Sequence, residues 1–402
     1  MWKDGEKLNM TKLCRRIVLF STALVLSAVL ALPCRAGALD YYLTPEDTGG
    51  AETAVSDDLI GDLIRNLPDE VRENMPESVT EDMTTGDAIS ALSFKKIAKQ
   101  ILGSLAKLLP VQLGTVSLVL CMLILSAAVR AVAASFGSAQ TARLADTAVS
   151  ISVALSLAGV GSRIVEAAEN FKELVCGVMN AVVPILGTLY AASGNVTTAS
   201  VQSGGMLLLV TLCQNIFSAV LLPCAGVCLS LGIIGAVFGE TGLSGVTAAV
   251  KSAVTWLTLS VMTLFSFFLG LQNTVAQSAD NFGIRSLKFA VGSLVPIIGG
   301  AVSDSLGTIG GSLGVLKSAC GSIAIVIIVA IVAPGIICVL AQRLFLFALK
   351  SAAGILGCER EERLIGEIEQ TASIVLAFMI AVTVSFVYAL TLFTSSAVAI
   401  AS

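Results

Sequence analysis

The chain has 402 residues, 55% of them hydrophobic and 13% charged, with a formal net charge of −4 and no histidine. A soluble domain carries about 25% charged residues, so a simple water-soluble enzyme is excluded, whereas a bilayer accommodates this much apolar surface. Without histidine there are no His-ligated metal sites, no Ser-His-Asp or Cys-His catalysis and no histidine proton relays.

Residues 1–38 predict an export signal. Lys3, Lys7, Lys12, Arg15 and Arg16 form a basic n-region, Ile17 to Leu32 is a 16-residue apolar stretch, and Ala36-Gly37-Ala38 supplies small residues beyond it. The stretch is short for a stable span, so cleavage near Ala36 or Ala38 is expected, with an uncleaved anchor as the alternative. Pro33 before Cys34 argues against a lipoprotein signal. Residues 39–93 then form an acidic extracytoplasmic domain, with 14 Asp or Glu against only Arg65 and Arg72. Leu59, Ile60, Leu63, Ile64, Leu67 and Val71 recur at helical spacing and predict a short helix or two. The acids are scattered, as in a solvated tether or a docking surface rather than a calcium loop. Residues 94–107 predict a basic amphipathic interfacial helix. Phe94, Ile97, Ile101, Leu102 and Leu105 share one face, and Lys95, Lys96, Lys99 and Lys107 line the other.

Residues 108–402 predict an all-α polytopic membrane domain. Its longer charge-free intervals are 108–129, 147–162, 174–239, 252–279, 289–303, 318–342 and 370–402. A crossing needs about 20 apolar residues, so 174–239 is expected to hold two, near 174–192 and 205–228, split by Ser193 to Gly204. That predicts about eight crossings after the signal. With the acidic domain outside, Arg130, Arg143, Arg285, Lys288, Arg343, Lys350, Arg360 and Arg363 are expected in the cytoplasm. Arg163, Lys172, Lys251 and Lys317 are expected outside. Residues 193–204 are thereby placed inside and 240–250 outside. The segment 343–371, with Glu359 to Arg363 and then Glu367 and Glu369, predicts a solvated helix with i,i+4 ion pairs.

An internal duplication is also predicted. Val183-Pro184-Ile185-Leu186-Gly187 recurs as Val295-Pro296-Ile297-Ile298-Gly299, 112 residues later, and Pro223 recurs as Pro334. The repeats run about 174–275 and 289–395. With three crossings each, the copies are inverted, as in permeases whose broken helices build a central site. If instead the Val-Pro-Ile segments are re-entrant hairpins, two spans per copy remain and there is no inversion. The candidate conduit residues are Pro184, Gly187, Pro296, Gly299, Gly300, Asp304, Lys317, Gln214 and Asn215, alongside the amides Asn180, Gln202, Gln272, Asn273 and Gln342. Amides at membrane depth commonly join helices. No acid or base is expected in mid-span. There is no phosphate loop, no CxxC and no basic-aromatic surface, so no cofactor, metal or nucleic acid is expected.

The run from Phe289 to Asp304, with Gly310 and then Leu316-Lys317-Ser318-Ala319-Cys320-Gly321, resembles the stage III sporulation protein AE family. The order of signal, polar outer domain and long apolar body is similar as well. The resemblance implies a non-enzymatic, permease-like subunit in the mother-cell membrane facing the forespore. It also implies partners among the other stage III A-operon proteins, including an ATPase-like subunit, in a channel complex. A self-sufficient secondary transporter and a non-conducting scaffold are the alternatives.

Overall fold

A computed structural model describes Arg65, Arg72 and residues 94–135, 139–192, 195–238, 243–294 and 299–395, with the side chains of 94–102, 104–109, 111–112, 115, 133–134, 139–143, 145–146, 192, 236–238, 243–244, 246–247, 281, 283–285, 287–294, 299–320, 322, 326 and 394–395 outside that description. The signal and the acidic domain lie outside the described residues. The helices all belong to the unit Val55–Ser402. They are α1 (Phe94–Ser135), α2 (Ala139–Ala192), α3 (Val196–Ile216), a π-helical turn (Phe217–Leu221), α4 (Leu222–Phe238), α5 (Leu243–Leu294), α6 (Gly299–Ile355) and α7 (Glu359–Ser395). Among the described residues, Thr147–Ala191, Val196–Gly235, Ala248–Asp280, Ile323–Ile355 and Glu359–Phe393 are long and apolar enough to cross a membrane. Val116–Val132 is a shorter apolar segment.

The expected boundaries at charged stretches are corrected. Segments 147–162 and 174–192 are one continuous helix, α2. Between them stand Arg163, Glu166, Ala167, Ala168, Glu169, Lys172 and Glu173, mostly strong helix formers. Charge of this kind ends a hydrophobic run without ending a helix. For the same reason α5 runs through Asp280, Arg285 and Lys288, where a loop was expected. Segment 289–303 is not a separate crossing, because α5 ends at Leu294 and α6 begins at Gly299.

Real breaks carry turn chemistry. Asn195 joins α2 to α3, donating its N–H to the Tyr190 carbonyl (3.1 Å) and accepting from Ala199 N (2.9 Å). At the α6–α7 turn Gly357 has φ 70, a left-handed conformation that glycine adopts without a Cβ penalty. Cys358 N then bonds the Ala353 carbonyl at 2.9 Å, and Glu359, Glu361 and Glu362 occupy the first turn of α7, where acids complement the helix dipole. Pro223 has no N–H for the Ala219 carbonyl. The π-helical turn immediately before it absorbs that mismatch and keeps the helical run going. Pro184 and Pro334 sit inside α2 and α6, so the first Val-Pro-Ile segment is part of a continuous helix rather than a hairpin.

Two consequences follow for topology. Because α2 does not turn back, residues 195–204 lie at the opposite end of the body from Arg130 and Arg143. Lys251, expected on the far side from those arginines, bonds Glu367 on α7 and so shares their end. The core runs between the two ends around α2 and α7, with Tyr190 edge-on to Phe393 (centroids 4.3 Å) and Phe217 against Phe378 (5.9 Å).

Candidate functional site

One face of α2 is built to pack. Ile164, Ala168, Phe171, Val175, Val178, Met179, Val182 and Leu186 recur at helical spacing and are buried. The opposite face is exposed and polar: Ser162, Arg163, Glu166, Glu169, Asn170, Glu173, Asn180 and Thr188, with Pro184 among them. Arg163 already lies about 36 Å from the start of the helix at the α-helical rise. The depth of the stripe is set by packing. Lys172 Nζ lies 4.8 Å over the Phe217 ring, and Phe217 packs on Phe378. Phe378 stands about 13 Å beyond Glu369, the last charge on α7. Glu166, Glu169 and Glu173 thus stand inside the long, predominantly apolar helical segment Thr147–Ala191. Ionisable residues within a span face protein or water, not lipid.

The stripe borders a seam with α3. Buried Cys176 on α2 is within hydrogen-bonding reach of Cys213 and Gln214, and Gln214 and Asn215 are exposed beside Thr211 and Ser218. Towards the Asn195 end, a Cβ on Gly187 would come 2.6 Å from Ser203 Oγ, and one on Gly205 would come 2.6 Å from Leu269 Cδ2. Both glycines thus hold helices close. Other surfaces are ordinary lipid faces. On α5 the exposed residues include Trp256, Leu264, Phe267, Phe268, Leu271 and Val275.

Charge also locks the ends. Glu361, with its side chain 0% exposed, accepts from Arg130 Nη2 at 2.6 Å on each carboxylate oxygen. It also accepts from Ser126 Oγ (3.3 Å) and Ser150 Oγ (3.1 Å). Lys251 Nζ donates to Glu367 Oε2 (2.6 Å) and to the Glu367 carbonyl (3.0 Å). Glu369 lies 3.8 Å from both Arg343 and Lys350. At the other end the buried Asp280 carboxylate caps α3, accepting from Thr197 N (3.1 Å) and Thr198 N (2.7 Å).

The family model for stage III sporulation protein AE (spore_III_AE) matches residues 74–402, which include every helix described above. The chain belongs to that family. A protein named stage III sporulation protein AE from Bacillus subtilis (strain 168) is 23% identical over 176 residues, covering 44% of this chain and 43% of that relative. The alignment thus spans less than half of either protein. No solved structure matches the chain.

In this AE-family protein the expected candidates scatter. Pro184 lies on the exposed stripe, Gln214 and Asn215 on the seam, and Gly187 beneath it against Ser203. Gly299, Gly300, Asp304 and Lys317 lie on α6, with the side chains of the last two outside the description. Pro296 lies outside the described residues, so its relation to Pro184 is not described either. Pattern alone missed Glu166, Glu169, Asn170 and Glu173, which stand exposed on the continuous helix α2 between two charge-free intervals. The signal available was their helix-forming composition. Also missed were the buried roles of Glu361 and Glu367, since only Glu359 and Arg363 form the anticipated i,i+4 pair (3.6 Å).

The cap is testable. Asp280→Ala leaves two amide N–H groups at the start of α3 without their acceptor and is expected to cost about 1–2 kcal/mol. Asp280→Asn keeps one acceptor oxygen and is expected to lose less. Thermal unfolding of the two variants in detergent checks the order.

Proposed function

We propose that this AE-family protein is a permease-like membrane subunit of a sporulation channel complex, and that the exposed stripe of α2 with its α3 seam forms part of a conduit wall. One observation carries the reading: Glu166, Glu169 and Glu173 are exposed on α2 within the segment Thr147–Ala191, which is long and apolar enough to cross a membrane. Lipid cannot cover carboxylates there, whereas a water-filled passage or another subunit can. The proposal places the protein in the mother-cell membrane facing the forespore, with residues 39–93 outside the cytoplasm and other stage III A-operon proteins, including an ATPase-like subunit, as partners. We orient the Glu361 end towards the cytoplasm. Arg130, Arg143, Lys251, Arg343, Lys350, Arg360 and Arg363 gather there, against Arg285 and Lys288 near the other end of the helical body. Lys95, Lys96, Lys99 and Lys107 stand on that second side, in the first turns of α1, which runs unbroken from Phe94 to Ser135 rather than beginning with a separate interfacial helix.

The test uses cysteines introduced one at a time, compared with the unaltered chain, in membranes of sporulating cells. A water-soluble maleimide is expected to label positions 166, 170 and 180 and to spare 264, 268 and 275. Equal protection of both sets would overturn the conduit wall. In the same membranes, cysteines at 193–204 and 240–250 are expected to be reached from opposite sides, with 240–250 reached from the cytoplasm. A pull-down under the same conditions is expected to recover partner subunits. Recovery of the chain by itself, with saturable solute uptake by the purified protein, would favour a self-sufficient transporter.

A further inference from the structure

Two thiols face each other across the seam between α2 and α3. We infer that Cys176 and Cys213 are a modification site: a dithiol that a small disulfide-bearing oxidant closes to an intrachain disulfide, clamping α2 to α3. What the clamp regulates rests on the conduit reading above, because the seam borders the stripe; the chemistry of the pair does not.

The pairing follows from the register of the two helices. They run antiparallel through the Asn195 turn, so each residue gained along one is matched by a residue lost along the other. Lys172 on α2 meets Phe217, one residue beyond α3, with its Nζ 4.8 Å from the ring centroid. Gly187 meets Ser203, whose Oγ lies 2.6 Å from where a Cβ on that glycine would stand. The two pairs are fifteen residues apart on α2 and fourteen on α3, so they share one register. Cys176 and Cys213 stand on it too, four residues in from the first pair on each helix, with their side chains within hydrogen-bonding reach. A disulfide needs Cα atoms about 4.4–6.8 Å apart, a separation that closely packed helices supply where two residues face each other.

The surroundings suit thiol–disulfide exchange. Both thiols are free and buried. Lys172 stands one helical turn before Cys176, and a cationic neighbour is the usual setting of a nucleophilic cysteine. Glu173 and Asn180 on α2 and Gln214 on α3 are exposed beside the pair, which therefore lies directly beneath the polar stripe. Cys224 and Cys228 make a contrast: they sit one turn apart on a single helix, where Cβ atoms about 5–6 Å apart are too distant to bridge. In the reaction the Cys176 thiolate attacks one sulfur of the oxidant, breaking its S–S bond, forming a mixed disulfide and releasing one thiolate. The Cys213 thiolate then attacks the Cys176 sulfur and expels the second. Two electrons pass from the pair to the oxidant, and the two protons given up by the cysteines end on the released thiols.

The experiment treats native membranes holding the full-length chain with dipyridyl disulfide, a small membrane-permeant oxidant, and then alkylates the remaining thiols. No Lys or Arg stands between Glu173 and Val250. Trypsin therefore leaves Cys176, Cys213, Cys224 and Cys228 on one peptide, and chymotrypsin with mass spectrometry shows which of them are joined. A Cys176–Cys213 link is expected, with Cys224 and Cys228 not joined to each other. In detergent the oxidised chain is expected to unfold at a higher temperature than the reduced one. Dithiothreitol and the Cys213→Ser variant are each expected to abolish that shift. Pyridylthio adducts without the link, a link that forms only after denaturation, or a link that leaves the unfolding temperature unchanged would overturn the inference. If the link is absent while maleimide still labels cysteines introduced at 166, 170 and 180, the dithiol site falls and the conduit wall stands. If the link forms while those positions are protected, the conduit wall falls and the dithiol site stands.

Discussion

Glu361→Ala is expected to destabilise the membrane body by about 3–5 kcal/mol, the usual cost of breaking a buried ion pair by removing one partner. The carboxylate is fully buried and holds both oxygens on Arg130, whose side chain is 23% exposed. Ser126 and Ser150 lose the same acceptor. Three helices converge on this point, since Ser126 and Arg130 come from α1, Ser150 from α2, and Glu361 from the start of α7. Arg130→Ala is expected to cost a similar amount, because it leaves the carboxylate buried without its cation. The double replacement Arg130→Met with Glu361→Leu removes both charges and is expected to recover much of the loss. Arg363→Ala, which disrupts an exposed i,i+4 pair with Glu359, is expected to cost about 0.3–0.5 kcal/mol at most. Detergent unfolding curves for the four variants check the series. A Glu361→Ala protein as stable as the Arg363→Ala protein would show that the buried cluster contributes nothing net.

Glu166→Leu, Glu169→Leu and Glu173→Leu combined are expected to leave the protein inserted and folded while abolishing its role in sporulation. Leucine is about as good a helix former as glutamate, and the three side chains are exposed. Membrane levels and thermal stability should therefore hold or rise. A polar lining turned apolar no longer holds water, so heat-resistant spore counts are expected to fall by about an order of magnitude or more. The glutamine triple keeps hydrogen-bonding capacity and is expected to retain part of the function. Normal spore counts from the leucine triple would reject the conduit wall, because an apolar stripe is compatible only with lipid or with an apolar partner.

Much of the architecture is legible in the chain. Composition alone requires a membrane body, and the charge-free intervals anticipate the apolar stretches of α2, α3, α5, α6 and α7. The seam between 174–192 and 205–228 was placed at a polar stretch, and α2 does hand over to α3 at Asn195 within it. What misled was treating every charged cluster as the end of a span. Arg163 to Glu173 lacks the glycine or proline that would stop a helix, so backbone bonding continues straight through it. The Glu359 to Glu369 stretch misled in the other direction. Its mixed signs look like a solvated helix, but the partners of Glu361 and Glu367 are Arg130 and Lys251, 231 and 116 residues away. No local pattern encodes those distances.

By itself the sequence determined that this protein lives in a bilayer, is helical there, and has no histidine chemistry, because these follow from which side chains are present and at what spacing. Its charge balance and its sporulation-family motif around 289–321 were legible for the same reason. Only the tertiary structure decided which charges are buried against one another and which stay on the surface at apolar depth. That distinction depends on how far a helix continues and on what packs beside it. Lys172 is held over Phe217, which in turn packs on Phe378. The charges of the helical body thus fall into two populations: carboxylates paired at the helix ends, and a stripe exposed along α2.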